Sequence, residues 1–195
     1  MSRHEITRED ILEMSDYAAS RKQRRAAVTE MKKDRRAHIG PDATFYFENY
    51  DTMFHQIHEM LYIEGGGEDQ IEDELSAYNP MIPKGRELVA TLMFEIDDAD
   101  RRAKFLEGLG GVEETVTISI DGDEVKAVPE ADIDRTSAEG KASSIQFLHF
   151  PFTDAQVEKF RSSEAKVVLG IGHQKYGHMA ALTGAVKDAL AGDFD

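Results

Sequence analysis

Residues 45–67, FYFENYDTMFHQIHEMLYIEGGG, gather carboxylates, amides, aromatics and two histidines in one short run. Set on a helix at about 100° per residue, Tyr50, Met53, Phe54, Ile57, Met60, Leu61 and Glu64 share one side. Thr52, His55 and Glu59 lie opposite. His55 and Glu59, spaced i and i+4, leave the helix in one direction and could ligate a metal. Their place diametrically opposite the apolar stripe favours a plain solvent-facing pair instead. Glu64 stands on the apolar side at the last turn. A carboxylate there needs a partner, or must reach solvent past the helix end.

Two further histidines interrupt apolar strand faces. His149 continues the face of Ile145 and Phe147, and His173 that of Val167, Leu169 and Ile171. Both stand where their strands end, and binding groups favour such ends. His173 is followed by Tyr176 and His178, and Glu95 sits on the half-polar face of another strand. The chemical expectation is a pocket at one end of a sheet built from Glu64, Glu95, His173 and Tyr176 as acid–base groups. His149, His173 and Glu64 are the candidate ligands for one divalent metal. The opposing reading makes each histidine an ordinary, satisfied structural residue.

Better-defined chemistries are absent. No Glu is followed by His three residues later, so the paired motif of a di-iron carboxylate bundle is missing. His58-Glu59 lacks the second histidine of a zinc-protease helix, because position 62 is Tyr. The run 170-GIGHQKYG-177 lacks the third glycine of a dinucleotide loop, and there is no Gly-x-Ser-x-Gly. Without cysteine there is no thiol catalysis, disulfide or Cys-ligated cluster in this chain.

Charge is distributed unevenly. The 195 residues carry a net −15, yet residues 21–36, RKQRRAAVTEMKKDRR, hold eight bases and two acids. That +6 within a total of −15 leaves −21 on the rest of the chain. Arg21, Lys22, Arg24, Arg25, Lys32, Lys33, Arg35 and Arg36 are therefore the candidate partner-binding groups. No aromatics interleave them to stack on bases, and the body is acidic, and both features disfavour nucleic acid as a partner. The alternative is that this segment docks on the acidic body of its own chain. No run approaches the roughly eighteen apolar residues of a membrane span, and the N-terminus lacks a secretory apolar run. A soluble cytoplasmic protein is expected.

These groups must be positioned by a mixture of helices and strands. A helix is predicted from about Arg8, with a break near Ser15–Asp16, resuming to about Arg35. Residues 1–36 thus form a helical, locally basic segment packed on or extending from the body. Gly40-Pro41-Asp42 predicts a hairpin turn, Asp51 and Thr52 a helix start, and three glycines from Gly65 its stop. A second helix over 68–78 precedes a central strand, 87-ELVATLMFEI-96, apolar on both faces. Asp97-Asp98 opens a helix, Asp121-Gly122 turns a hairpin, and Thr153 with Gln156 caps another helix. Residues 129–141 read as a loop. Strands are predicted over 143–152 and 166–173. The last helix is expected to carry Met179, Leu182, Val186 and Leu190 on one stripe. The order implies a single α+β domain over 1–195, with a mainly antiparallel sheet of about five to seven strands and helices packed on it.

The motifs 44-TFYFENYDTM-53, 56-QIHEML-61, 74-ELSAYNPMIP-83, 88-LVATLMFEI-96, 143-SSIQFLHF-150 and 171-IGHQKYGHM-179 together resemble a bacterial family known only as a domain of unknown function. The likeness spans nearly the whole chain. It implies a genetic neighbourhood shared with rubrerythrin and an iron–sulfur oxidoreductase. An accessory or adaptor role in a redox or peroxide-stress system follows from it as an expectation, with a rubrerythrin-like or iron–sulfur protein as partner. It implies no catalytic residues. The alternative expectation is a metal- or small-ligand-dependent enzyme using the His/Glu pocket at the sheet end.

Overall fold

The computed structural model describes residues 3–130, 136–137 and 140–195. Nine strands are assigned among these residues, and they form two antiparallel sheets. The larger sheet has the order β1 (Arg36–Ile39), β2 (Ala43–Glu48), β3 (Glu87–Phe94), β7 (Ile145–Pro151), β6 (Val128–Pro129). The smaller runs β5 (Asp123–Lys126), β4 (Val116–Ile120), β8 (Val167–His173), β9 (Tyr176–Leu182). The antiparallel α+β class expected from the sequence is the class observed; the strands are shared between two sheets. The chain steps from β5 in one sheet to β6 in the other across the buried Ala127.

Alternation explains the layers. On β2, β3 and β7 the residues Phe45, Phe47, Leu88, Ala90, Leu92, Phe94, Leu148 and Phe150 face one way. They join Val116, Ile118, Ile120, Val167, Leu169 and Ile171 of the smaller sheet in one apolar cluster. Phe152, Phe160 and Phe194 close one end of it with edge-to-face contacts of 4.9–5.9 Å between ring centroids. They bring in α5 (Asp154–Arg161) and the chain end after α6 (Gly184–Ala191).

The opposite face of the larger sheet carries a second core. Val89 and Phe147 meet Met53, Ile57 and Leu61 of α2 (Tyr50–Glu64), Ile71 of α3 (Glu68–Tyr78), and Met81 and Ile82. The N-terminal segment adds Ile6 and Ile11. It is clamped by Asn79, whose side chain accepts from the Ile6 N–H (2.8 Å) and donates to the Ile6 carbonyl (2.9 Å). The helix α1 (Met14–Met31) then lies along α2, burying only Tyr17 completely. α4 (Ala99–Glu107) starts at Asp98, whose carboxylate accepts from the Arg101 N–H.

Turn and cap chemistry is mostly as the sequence predicts. Asp121 and Gly122 both have positive φ, 49° and 86°, as a two-residue type I′ hairpin requires. Gly65 ends α2 at φ 66°. The N-cap of α2 is Asn49, in a reciprocal capping box with Thr52, so Thr52 is the third helical residue and not the cap. The expected helix from Arg8 is a single 3-10 turn, Arg8–Asp10, followed by α1 and a second 3-10 turn at Lys32–Arg35. The larger correction concerns residues 176–182. They form strand β9 and not the start of the last helix. Met179 lies 81% exposed, while Val186 and Leu190 alone of the expected stripe belong to α6. The part of the 129–141 loop at 131–135 and 138–139 lies outside the described residues.

Candidate functional site

The residues expected to form a sheet-end pocket are brought together only in part: His173 and Tyr176 are cross-strand partners at the β8–β9 turn, and the Glu95 N–H and the Tyr176 hydroxyl both bond to the Asp42 backbone, but Glu64 and His149 stand elsewhere. His149 lies opposite Val89 on β3, whereas Glu95 follows the far end of that strand, about 20 Å away at strand rise. Glu95 accepts from Thr44 Oγ1 (2.6 Å) and Tyr46 OH (2.7 Å). Burial works against its charge, but those two hydroxyls hold its carboxyl below the usual range. Glu64 is exposed at the helix end and accepts from Gln70 Nε2 (2.8 Å). His173 Nδ1 accepts from the Lys175 N–H in the β8–β9 turn (3.2 Å). Tyr176 is buried; its hydroxyl donates to the Ile39 carbonyl (2.7 Å) and accepts from the Asp42 N–H (3.0 Å), tying the smaller sheet to the β1–β2 turn.

His149 has both ring nitrogens engaged, Nδ1 with Glu87 (3.2 Å) and Nε2 with Glu130 (3.7 Å). The hydrogen bond to Glu87 raises its pKa, so the imidazolium is favoured, the opposite of what a metal ligand needs. Among the described residues no three His, Asp or Glu side chains gather closely enough to hold a metal ion.

The decorated face of α2 is not a solvent face, and this corrects the expectation for His55 and Glu59. α1 covers it. Glu59 accepts from Arg21 Nε and Nη2 (2.8 Å each) and from Tyr17 OH (2.7 Å), and the Arg21 hydrogen bonds take its pKa down to about 2. His55 Nδ1 lies 3.3 Å from the same Tyr17 hydroxyl. His58, next to that face, is fully buried between Tyr17 and Phe54. Its Nε2 accepts from the Leu12 N–H (3.1 Å), so its Nδ1 carries the proton given to the Phe54 carbonyl (2.7 Å). Burial lowers its pKa and the ring is neutral.

These two histidines titrate in opposite senses. For His58 the folded pKa lies below the unfolded value of about 6.5, so its contribution to stability is complete above that pH and falls away as pH drops. For His149 the folded pKa lies above it, so its contribution is present at low pH and lost as pH rises through the raised value. Histidine side-chain NMR should find His149 titrating above about 6.5 and His58 below it. The reverse order would refute both assignments.

The basic segment divides into anchors and free groups. Arg21 is locked on Glu59 with its guanidinium 4.6 Å from the Tyr62 ring centroid. Arg24 donates to Ser20 Oγ (3.0 Å) and lies over Phe54. Arg36 lies over Tyr46, and Lys33 pairs with Glu30 (2.6 Å). Arg35 does not belong to the surface at all. It is 4% exposed, bound to Asp193 and to the carbonyls of Phe47 and Glu48. It therefore drops out of the partner-binding set. Lys22 and Arg25 remain exposed beside a groove of about 440 Å³ shared with Ala18, Ala26, Thr29 and Tyr62. Tyr62 and its neighbour Ile63 are 41% and 66% exposed. A second, more apolar cleft lies between the larger sheet and the α2–α3 pair. Its one buried acid is Glu48, which nothing in the sequence pattern sets apart. Glu48 ends an alternation, 43-ATFYFE-48, in which Thr44, Tyr46 and Glu48 share a face, but only the covering helices turn that face inward.

Taken together, these features define an antiparallel α+β protein that is acidic in bulk, with a basic helical flank laid over its second core. No described helix is long and apolar enough to cross a membrane. The chain belongs to the family described as Protein of unknown function (DUF3501), whose model matches residues 5–194. It is similar to a protein of unknown function from Burkholderia pseudomallei K96243, known from a crystal structure. The two are 36% identical with a TM-score of 0.90, over 97% of this chain and 99% of that one. No match was found among curated proteins.

Proposed function

We propose that the protein is a non-catalytic adaptor that docks an acidic partner of a redox or peroxide-stress system on the outer face of α1. The observation carrying this reading is the division of the basic segment. Arg21, Arg24 and Arg35 hold the fold together, while Lys22 and Arg25 stay exposed around an aromatic, Tyr62, with Ile63 next to it. Exposed bases around an aromatic anchor are the composition of an interface hot spot, with the charges setting encounter rate and orientation. The genetic neighbourhood implied by the family resemblance makes a rubrerythrin-like or iron–sulfur protein the first partner to test.

Co-purification with such a partner at low salt, weakening as salt rises, is the expected result. The pair Lys22→Glu and Arg25→Glu should weaken the complex at least about tenfold, since reversed charges juxtapose like with like. Both side chains are exposed, so the denaturation midpoint should stay within a few degrees. Binding unaffected by the double reversal would overturn the assignment of this face, and no association at low salt would overturn the adaptor reading.

A further inference from the structure

We infer that the cleft between the larger sheet and the α2–α3 pair is a binding site for a small organic monocation, an ammonium group on an apolar body, with Glu48 as its anchor. The cleft has a volume of about 290 Å³. Its floor is the outer face of the sheet, where Tyr46, Thr91 and Phe147 stand in one cross-strand row and Met93 and Ile145 in the next. Its roof is Met53 and Gln56 of α2 with Tyr78 and Met81 beyond them. Thioether and aromatic walls of this kind adapt to apolar bodies of varied shape.

Glu48 is the feature that the fold does not explain. It is 6% exposed, and only one of its carboxylate oxygens is used: Oε1 accepts from Thr91 Oγ1 at 2.8 Å. Oε2 is buried with no hydrogen-bond partner. Of the two cations nearest in sequence, Arg36 lies over the Tyr46 ring, and Arg35 donates to the backbone carbonyls of Phe47 and Glu48 and pairs with Asp193. Lys32 also lines the cleft, and among the described residues it forms no ion pair within 4.0 Å. Leaving a carboxylate oxygen buried and unmet is costly, and an apolar side chain at position 48 would avoid the cost. A ligand N–H that completes the carboxylate would be held by a charge-assisted hydrogen bond, while its apolar part displaces water from the methionine walls. Lys32, as the positive group at the same cleft, disfavours ligands with a second positive charge. Gln56 Nε2 lies 3.4 Å from Tyr78 OH, which leaves the tyrosine proton free for a polar atom on the ligand.

The test uses full-length protein with ¹³C-labelled methionine methyl groups and three probes of one length: hexylammonium, hexanol and hexanoate. Hexylammonium should shift the Met53, Met81 and Met93 methyl signals saturably below about 10 mM, at least about tenfold more tightly than either of the others. Glu48→Gln, which preserves the shape and the Thr91 contact, should reduce hexylammonium to the affinity of hexanol. Ala77→Phe, at an exposed position lining the cleft, should abolish binding of all three. Equal affinity for the three probes, an ammonium preference that survives Glu48→Gln, or no saturable shift of these methyl groups would each overturn the proposal. Should Glu48→Gln fail to fold, the comparison of the three probes on the unaltered protein decides.

Discussion

Replacing Arg35 with Ala should cost about 3–5 kcal/mol, the range for removing one partner of a buried ion pair. The guanidinium is 4% exposed and its partner Asp193 has a side chain only 9% exposed. Burial already raises the pKa of Asp193 against the pull of Arg35, so the carboxylate has no other compensation. The same guanidinium donates to the carbonyls of Phe47 (2.9 Å) and Glu48 (3.1 Å), and thus binds the end of β2 to the C-terminal segment. Phe194, beside Asp193, packs in the aromatic cluster with Phe152 and Phe160, so losing the ion pair removes one tie next to that cluster, while Arg161 still donates to the Phe194 carbonyl. For a chain of this size the thermal midpoint should fall by roughly 6–20 °C. The double variant Arg35→Met with Asp193→Leu should recover part of that loss, because two apolar groups leave no orphaned charge while the Phe47 and Glu48 carbonyls still lose their donor. Urea denaturation followed by circular dichroism measures both. A loss below about 1 kcal/mol for Arg35→Ala would show that solvent reaches the pair.

Arg35 also shows where sequence reading stops. In the run KKDRR it is indistinguishable from its neighbours; its burial follows from the 3-10 turn that rotates it under β2. Local signals did better when their physics was local. Asp121-Gly122 forces a hairpin through backbone conformation, and Thr153 with Gln156 satisfies the first N–H groups of α5 wherever that helix lies. β9 is not legible in the sequence because Met179, Ala180 and Ala181 favour helices, and the Gln174-Lys175 turn before it has neither Asn nor Gly to mark it. The apolar stripe Met53, Ile57 and Leu61 of α2 is buried as its spacing predicts, whereas Thr52 on the expected polar side is also buried and Glu64 on the expected apolar side is exposed. What the pattern could not say was that α1, which has almost no apolar stripe, would cover the polar one through Arg21, Tyr17 and Glu59. The candidate polar residues at strand ends were legible as anomalies. Their separate partners were not, since Tyr176 finds Ile39 and Asp42 across 137 and 134 residues of chain.

That cross-sheet tie leads to the second large effect, Gly40→Ala, which should cost about 3 kcal/mol. Gly40 turns the chain between β1 and β2 at φ +65°, a conformation that carries a penalty of about 1 kcal/mol for a residue with a Cβ. Space is the larger difficulty. A Cβ there would stand 2.7 Å from the Tyr176 hydroxyl and 2.7 Å from His178 Cδ2. Both rings are held: Tyr176 packs edge-on against Phe94 and Phe105, and His178 against Tyr176 itself. To admit the methyl group, Tyr176 must give up its bonds to the Ile39 carbonyl and the Asp42 N–H, or the turn must move away from the smaller sheet. Gly122→Ala supplies the control. Its φ is +86°, but nothing lies within 4 Å of the added Cβ, so only the conformational penalty applies and the loss should be about 1 kcal/mol. Tyr176→Phe should reproduce about 1–3 kcal/mol of the Gly40 effect by leaving the buried Asp42 N–H unmet. Equal losses for Gly40→Ala and Gly122→Ala in denaturant titration would mean that the Tyr176 contact carries no weight. The expected inequality makes Tyr176 the fastening between the two sheets, with its hydroxyl already committed at both its donor and its acceptor side.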